Sequence, residues 1–357
     1  MACDRIETAA GKIFSLGGDH PITRLGLGTN RLTGAGVWGE PADREAAVAV
    51  LRRAVRLGVD FIDTADSYGP FVSEELIAQS LHPYDGVTIA TKGGLVRTGP
   101  DQWHPVGHPE YLRQCVEMSL RRLKLERIDL YQLHRIDPNV PAAEQIGVLE
   151  EMRSEGKIKH IGLSKVTVAE IIEAQRTAPV VSVQNPYNLL NREFEDVLGY
   201  CEQEGLGFIP WFPLDTGRLA GRDGPLAALA RNAGLTPVQL ALAWLLRRSP
   251  VLLPIPGTAS LAHLEENLAS ARVELTDEQY AALSSPRDAA DLDLASRARW
   301  PADDTRTSRR LTPRSSRAVC PHRPAPRRDP AAPPRRRAAA AAAAADRPER
   351  PGAPGRP

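Results

Sequence analysis

Short apolar runs rich in β-branched residues alternate with amphipathic segments along most of the chain. The runs are apolar at consecutive positions, which is typical of parallel strands buried on both faces. The segments between them carry helix-boundary residues such as Asp43, Ser73 and Pro109. This pattern predicts strands at 25–29, 60–62, 87–92, 128–133, 159–164, 180–184, 207–211 and 251–255. It predicts helices at 44–57, 74–81, 109–123, 141–155, 167–176, 193–204, 237–248 and 260–270, and a last helix after Thr276.

Eight strand–helix units of this length predict an α/β fold of the (β/α)₈ TIM-barrel type. Two apolar runs, 12–16 and 21–25, flank Gly-Gly-Asp-His and predict an N-terminal β-hairpin that plugs one end of the barrel. A doubly wound sheet is the alternative, but the first strand-to-helix turn, 26–34, lacks a G-x-G-x-x-G motif. We therefore expect a flexible N-terminus at 1–11 and one barrel domain at 12–285.

The composition changes after the predicted barrel. Residues 301–357 contain 12 Pro, 14 Arg, 5 acidic residues and an eight-alanine run, and no aromatic residue follows Trp300. Such a segment buries too little apolar area to offset its ordering entropy, so we predict a disordered tail at 286–357. An Arg-rich tail that binds nucleic acid or anionic membrane is the alternative to an extension without function.

Charge and cysteine usage narrow the class of protein further. The segment 301–357 carries a net +9 against +1 for the whole chain, so residues 1–300 carry −8, which argues against a core that binds nucleic acid. The four cysteines are far apart and form no C-x-x-C pair, which predicts free thiols and no zinc site; they are Cys3, Cys115, Cys201 and Cys320. Because no apolar signal core or run of about 20 apolar residues is present, we expect a cytoplasmic protein that does not enter a membrane.

Four polar residues follow or end predicted strands, where a parallel barrel brings side chains together: Asp63, Tyr68, Lys92 and His134. A phenol has a pKa of about 10, so it does not give up its proton readily at neutral pH. A nearby ammonium lowers this pKa by stabilising the phenolate, and Lys92 could do so for Tyr68. A carboxylate can hold that ammonium, and a neutral imidazole can donate to a carbonyl oxygen. Each residue alone also has a structural interpretation, such as Asp63 capping a turn, but their shared position at strand ends favours catalysis.

The stretch Gly58-Val-Asp-Phe-Ile-Asp-Thr-Ala-Asp-Ser-Tyr-Gly69 and the later Lys92 and His134 resemble the aldo-keto reductase family. The resemblance covers about 12–285 and implies a catalytic tetrad with Tyr68 as general acid. It also implies reduction of a small-molecule aldehyde or ketone to an alcohol with NADPH. The Leu-Gly-Gly-Asp and Gly-Val-Trp-Gly segments are similar to a bacterial branch that includes pyridoxal reductases, so pyridoxal is a candidate substrate. An NADP(H)-sensing regulatory barrel with little turnover is the alternative, and the oligomeric state stays open.

The resemblance also implies a set of cofactor residues. Lys165 departs from the usual Asn of the family, and His263 stands where many relatives have Arg or Gln. We expect NADPH rather than NADH, with Trp211 stacking on the nicotinamide. The implied cofactor contacts are Gly28, Thr29, Asn30, Asp63, Ser164, Lys165, Gln184, Trp211, Phe212, Pro213, Leu214, Gly217, Gly257, Thr258, Ser260, His263, Glu266 and Asn267. For the substrate pocket we expect Trp38, Trp103 and His104, whose rings suit a small aromatic or aliphatic aldehyde.

Overall fold

The computed structural model describes residues 13–221 and 226–284, so the predictions for 1–11 and 286–357 lie outside the described residues. The strands are β1 (Ile13–Leu16), β2 (His20–Thr23), β3 (Leu27–Gly28), β4 (Phe61–Asp63), β5 (Thr88–Gly93), β6 (Leu95–Gly99), β7 (Gln102–Pro105), β8 (Ile128–Leu133), β9 (Ile158–Ser164), β10 (Val180–Gln184) and β11 (Gly207–Phe208). The α-helices are α1 (Arg44–Arg56), α2 (Val72–Leu81), α3 (Pro109–Leu123), α4 (Ala142–Ser154), α5 (Val168–Gln175), α6 (Glu195–Glu204), α7 (Ala227–Asn232), α8 (Pro237–Arg248), α9 (Leu261–Ala269) and α10 (Asp277–Ser284).

Seven parallel strands form the central sheet in the order β3-β4-β5-β8-β9-β10-β11. The predicted eighth strand, 251–255, is not a regular strand but bonds to both edges of this sheet. The Leu253 N–H donates to Phe208 O at 2.8 Å, and the Gly26 N–H donates to Pro254 O at 2.9 Å. The sheet therefore closes into the predicted (β/α)₈ barrel.

The β1–β2 hairpin covers the N-terminal end of the barrel, as predicted. Leu16 and Ile22 lie buried in one cluster with the inward-facing residues Phe61, Ala90, Leu130, Ile209, Leu253 and Ile255. The Thr23 N–H donates to Asp60 Oδ1 at 2.9 Å, directly before β4. Burying an aliphatic side chain contributes about 1.5–3 kcal/mol. This packing leaves the C-terminal ends of the strands as the open end of the barrel, where enzymes of this fold hold their sites.

Three local predictions need correction. The segment between β5 and α3, for which no strand is predicted, contains the β6–β7 hairpin, and the strand predicted at 207–211 ends at Phe208. Ser73 does not cap α2, because the helix begins at Val72 after Phe71, whose φ is 71°. The buried Ser73 hydroxyl instead donates to Thr29 Oγ1 at 2.7 Å, which ties α2 to the loop after β3.

Two further expectations concern membranes and cysteines. Within 13–221 and 226–284, no helix combines the length and apolar character needed to cross a bilayer. Cys115 and Cys201 are free thiols, and both are buried, whereas Cys3 and Cys320 lie outside the described residues.

Candidate active site

Three neighbouring strands bring the predicted catalytic residues to one edge of the barrel. Asp63 ends β4, Lys92 lies one residue before the end of β5, and His134 directly follows β8. The strands are in parallel register, with Asp63 opposite Ala90. Tyr68 reaches the same edge from the loop after β4. The four side chains that the sequence predicted are therefore close together.

The Lys92 ammonium is completely buried, and each of its three N–H groups has an acceptor. It lies 2.6 Å from Asp63 Oδ1, 2.9 Å from Thr64 O and 3.4 Å from Tyr68 Oη. The Lys92 side chain is 0% exposed and that of Asp63 is 2% exposed. A charge at this depth persists only when it is paired, so Asp63 is what keeps the ammonium beside the phenol.

The second carboxylate oxygen of Asp63 accepts two amide donors that complete its surroundings. Gln132 Nε2 lies 3.0 Å from Asp63 Oδ2, and Gln184 Nε2 lies 2.8 Å from it. Gln132 is not among the predicted site residues, although the sequence carries a signal for it. It is a polar residue inside an apolar strand, two positions before His134, and therefore on the same face of β8.

The ionisation states follow from burial and neighbouring charges. Burial raises the pKa of Tyr68 above its ordinary value of 10.0, and Lys92 opposes this rise only in part. Lys92 lowers the phenol pKa, as expected, but desolvation outweighs this contribution, so the net pKa of Tyr68 stays above 10.0. Burial lowers the pKa of Lys92, but Asp63 and Tyr68 more than offset it, and the net pKa lies above 10.5. Tyr68 is a phenol and Lys92 an ammonium at neutral pH.

His134 is a neutral imidazole, as the sequence reasoning required. Burial lowers its pKa well below 6.5, and the positive charges of Lys92, Arg135 and Arg97 lower it further. Its Nδ1 lies 3.2 Å from the Ser67 hydroxyl oxygen. Ser67 was not predicted as a site residue.

An aromatic wall stands beside these groups. The ring of Trp103 has its centroid 6.4 Å from that of Tyr68 and 6.2 Å from that of His134, both edge to face. Trp38 is half-buried and pairs with Gly69, next to Tyr68.

The two predicted substrate residues on β7 lie on opposite faces of that strand. Trp103 is opposite Arg97 on β6 and contacts the tetrad. His104 is exposed on the other face, with Nε2 2.9 Å from Thr98 Oγ1. The alternation of a strand thus brings Trp103, and not His104, to the site.

Ser164 and Gln184 offer complementary groups at the ends of β9 and β10. Ser164 Oγ accepts from Arg135 Nη1 at 3.0 Å, and its own O–H has no acceptor among the described residues. Gln184 donates from its amide nitrogen to Asp63 Oδ2, and no described residue donates to its Oε1. One free hydroxyl donor and one free amide acceptor are what a primary carboxamide requires.

The loops after β3 and at 254–258 approach each other closely. A Cβ at Gly257 would lie 2.9 Å from both Asn30 Oδ1 and Gly28 O. Thr29 is fully buried, and its hydroxyl donates to Asp63 O at 2.9 Å, so its side chain is engaged inside the protein. Gly28 and Gly257, two of the predicted cofactor glycines, therefore form one narrow cradle with Asn30.

The N-terminus of α9 follows this cradle. Thr258 Oγ1 accepts from the Ser260 N–H at 3.0 Å, and Ser260 caps the helix by accepting from the His263 N–H at 3.4 Å. His263 is exposed on the first turn, Glu266 is half-buried and Asn267 is buried. These predicted contacts therefore lie on the first two turns of one helix, beside the Gly257 cradle.

The loop after β11 has an unusual backbone. Trp211 is half-buried, and its indole Nε1 is buried without a partner among the described residues. The ring of Phe212 lies edge to face on it, with centroids 4.5 Å apart. Phe212 and Gly217 have φ of 57° and 101°, and Asp215 and Thr216 between them also have positive φ, which is typical of strained functional loops. Pro213 and Leu214 complete this segment.

Lys165 and Arg135 border the same region. The Lys165 N–H donates to Gln184 O at 3.0 Å, and its φ is 53°. Arg135, which the sequence analysis did not select, lies over the Trp211 ring at 5.8 Å from its centroid. Within the described ranges, no three His, Cys, Asp or Glu side chains gather closely enough to hold a metal ion.

The family model named Aldo/keto reductase family matches residues 24–287. An uncharacterized oxidoreductase of Schizosaccharomyces pombe is 54% identical over 266 residues, which cover 74% of this chain and 87% of that protein. Pyridoxine 4-dehydrogenase of Escherichia coli is 42% identical over 277 residues, covering 76% and 96%. The crystal structure of an aldo-keto reductase from Klebsiella pneumoniae in complex with NADPH superposes with a TM-score of 0.67 at 29% identity, covering 77% and 94%. Since the family match spans the whole barrel and the tetrad, this chain belongs to the aldo/keto reductase family and is an oxidoreductase.

Proposed function

We propose that the protein reduces an aldehyde or ketone to an alcohol with NADPH, with Tyr68 as the general acid. The observation that carries this proposal is the buried chain from Asp63 through Lys92 to the Tyr68 hydroxyl, next to a neutral His134. A proton donor beside a fixed cation and a neutral hydrogen-bond donor matches the needs of a carbonyl oxygen that gains negative charge.

The described residues fit a nicotinamide cofactor, and the Klebsiella pneumoniae relative is in complex with NADPH. When bound, the nicotinamide supplies the hydride for the carbonyl carbon. Ser164 would donate its O–H to the carboxamide oxygen, and Gln184 Oε1 would accept from the carboxamide nitrogen. The indole of Trp211 offers a flat face for stacking. The Gly257 cradle and the α9 N-terminus would receive the phosphates.

The proton follows a short path in this proposal. Tyr68 gives its hydroxyl proton to the carbonyl oxygen, and Lys92 stabilises the phenolate left behind. Asp63 holds Lys92 in place and balances its charge. We propose the tautomer in which the Ser67 hydroxyl donates to His134 Nδ1, which leaves the single ring hydrogen of the neutral imidazole on Nε2 to be donated to the same carbonyl oxygen.

For the substrate we propose pyridoxal. A relative that is 42% identical is named pyridoxine 4-dehydrogenase, and pyridoxine is the alcohol that corresponds to pyridoxal. The wall of Tyr68, Trp103 and Trp38 suits a flat ring that carries an aldehyde.

The test is a panel of aldehydes that includes pyridoxal, followed at the nicotinamide absorbance with NADPH and NADH. Tyr68→Phe should lower kcat by about 10²–10⁴-fold and leave the Kd of NADPH nearly unchanged, because only the transferable proton is lost. Tyr84→Phe is the matched control. Its buried hydroxyl donates to Leu123 O at 2.7 Å, so its loss should affect stability and not kcat.

Two outcomes would redirect the proposal. If Tyr68→Phe keeps most of the wild-type kcat, Tyr68 is not the general acid. If the wild-type protein binds NADPH tightly but turns over no aldehyde, the NADP(H)-sensing barrel becomes the better function.

A further inference from the structure

Arg97, on β6, is a buried arginine whose five N–H groups all donate to backbone carbonyls. It is 8% exposed. Its Nε donates to Gln102 O at 2.8 Å. Its four remaining N–H groups donate to Val37 O (2.8 Å), Ser67 O (2.9 Å), Gly36 O (2.8 Å) and Gly99 O (3.2 Å). Since arginine has five N–H donors, every one of them is satisfied.

These carbonyls belong to three separate segments. The segments carry Trp38, Tyr68 and Trp103, the aromatic residues that we call the substrate wall. The 36–37 backbone leads into Trp38, Ser67 precedes Tyr68, and the β6–β7 hairpin carries Trp103. The guanidinium also stacks on Trp103, at 3.5 Å from its ring centroid, and lies 5.7 Å from that of Trp38. A single side chain therefore joins all three aromatic residues of the wall.

The positive charges of Arg97 and Lys92 differ in whether a nearby carboxylate balances them. Lys92 is balanced by a carboxylate at 2.6 Å. Arg97 has no N–H left for a carboxylate, and Asp101, the acid that acts on it, is itself exposed. The substrate wall is thus backed by a cation whose charge reaches the site, as its effect on His134 indicates.

We propose that Arg97 is a positioning residue that assembles the substrate wall and makes it positive, so that the site favours anionic over matched cationic aromatic aldehydes. This inference rests on the proposed carbonyl reduction. A cation stacked behind Trp103 draws electron density from the indole, so the ring no longer attracts a substrate cation on its other face. The same charge attracts a carboxylate across the low-dielectric pocket.

The positioning role is tested by Arg97→Lys and Arg97→Met in steady-state kinetics. Neither replacement can serve five carbonyls in three segments, and a misplacement of about 1 Å can cost about 10²-fold in rate. We expect kcat/KM for a neutral benzaldehyde to fall by about that factor in both variants, with an unchanged Kd for NADPH.

Arg24→Met is the matched control for a loss of stability alone. Arg24 is 7% exposed and also donates only to carbonyls, at Leu246, Ser249 and Leu252. It lies at the plugged end of the barrel, so its removal should lower Tm and leave kcat/KM near the wild-type value. An unchanged KM and kcat in the two Arg97 variants, or an equal loss in Arg24→Met, would overturn the positioning role.

The charge effect is tested with 4-carboxybenzaldehyde and 4-(trimethylammonio)benzaldehyde. The ratio of their kcat/KM values is compared between proteins, which cancels their intrinsic reactivity. We expect this ratio to fall about tenfold in Arg97→Met and to be kept in Arg97→Lys, which retains the charge. The same ratio in wild type and Arg97→Met would overturn the charge effect.

Folding failure of one variant leaves the inference testable. If Arg97→Met is insoluble, Arg97→Lys decides the positioning role, and Arg97→Gln replaces Met in the charge comparison. If the wild-type protein reduces none of these aldehydes, the proposed function itself fails. If the wild-type protein reduces these aldehydes and the Arg97 variants have the same kinetics, only the role of Arg97 is refuted and the proposed function stands.

Discussion

The buried charges of Asp63 and Lys92 should depend strongly on each other for the stability of the protein. Lys92→Met would leave the Asp63 carboxylate with two amide donors and no cation. Asp63→Asn would leave the ammonium with neutral acceptors only, among them Thr64 O and the Tyr68 hydroxyl, and with no anion. Because both side chains are almost fully buried, each single change isolates a charge in a medium that solvates it poorly.

The expected magnitude follows from this burial. Removing one partner of a buried pair typically costs about 3–5 kcal/mol, whereas removing both charges is often close to neutral. In a domain of this size 1 kcal/mol shifts Tm by about 2–4 °C, so each single variant should melt about 10 °C lower. The double variant Asp63→Asn/Lys92→Met should be more stable than either single one.

Urea unfolding of the wild type, the two single variants and the double variant measures the coupling free energy directly. We expect about 3 kcal/mol. A parallel cycle on Arg113 and Glu151, an exposed pair with N–O at 2.8 Å, should give less than about 1 kcal/mol. Additive single effects at Asp63 and Lys92 would refute the reasoning that each charge depends on the other.

Two further changes probe the cofactor site. His263→Arg should tighten the binding of NADPH more than that of NADH, because an always-charged guanidinium can pair with the 2′-phosphate. Fluorescence titration measures both Kd values, and equal effects would mean that residue 263 does not face that phosphate. Gly257→Ala should weaken NADPH binding at least about tenfold, because its Cβ would lie 2.9 Å from Asn30 Oδ1 and Gly28 O and force the cradle apart; Gly147→Ala, with open space around its Cβ, should bind like wild type.

Much of the barrel could be predicted because its signals are local. Helix 109–123 begins at Pro109 and ends where Lys124 adopts a left-handed conformation, and strands 128–133 and 180–184 match the structure residue for residue. Apolar runs bounded by turn residues carry that information directly. The tetrad was also predictable, since each member lies at a strand end or in the loop that follows.

The substrate wall could not be predicted in the same way. The β6–β7 hairpin is short, and its turn at Pro100 and Asp101 lies between runs too mixed for a strand pattern. Arg97 finds its partners among backbone carbonyls, which every residue has, so no sequence pattern marks them. The effect of burial on the pKa of Tyr68 could not be predicted for a related reason: the depth of burial depends on packing from all sides, and it outweighs the lowering by Lys92.

The raised pKa of Tyr68 bears on the direction of the reaction. In the proposed mechanism, reduction uses the protonated phenol of Tyr68, which predominates at neutral pH and is lost only as the pH rises through a pKa above 10.0. Oxidation of the alcohol needs the phenolate as base, whose fraction grows about tenfold per pH unit below that pKa. With NADP⁺ and pyridoxine, kcat for oxidation should therefore rise steeply between about pH 7 and 9. Over the same range kcat for reduction should stay flat, because the phenol remains protonated. An oxidation rate independent of pH across this range would mean that proton transfer to Tyr68 does not limit it. A step in either profile near 6.5 would contradict a neutral His134, whose pKa lies well below that value.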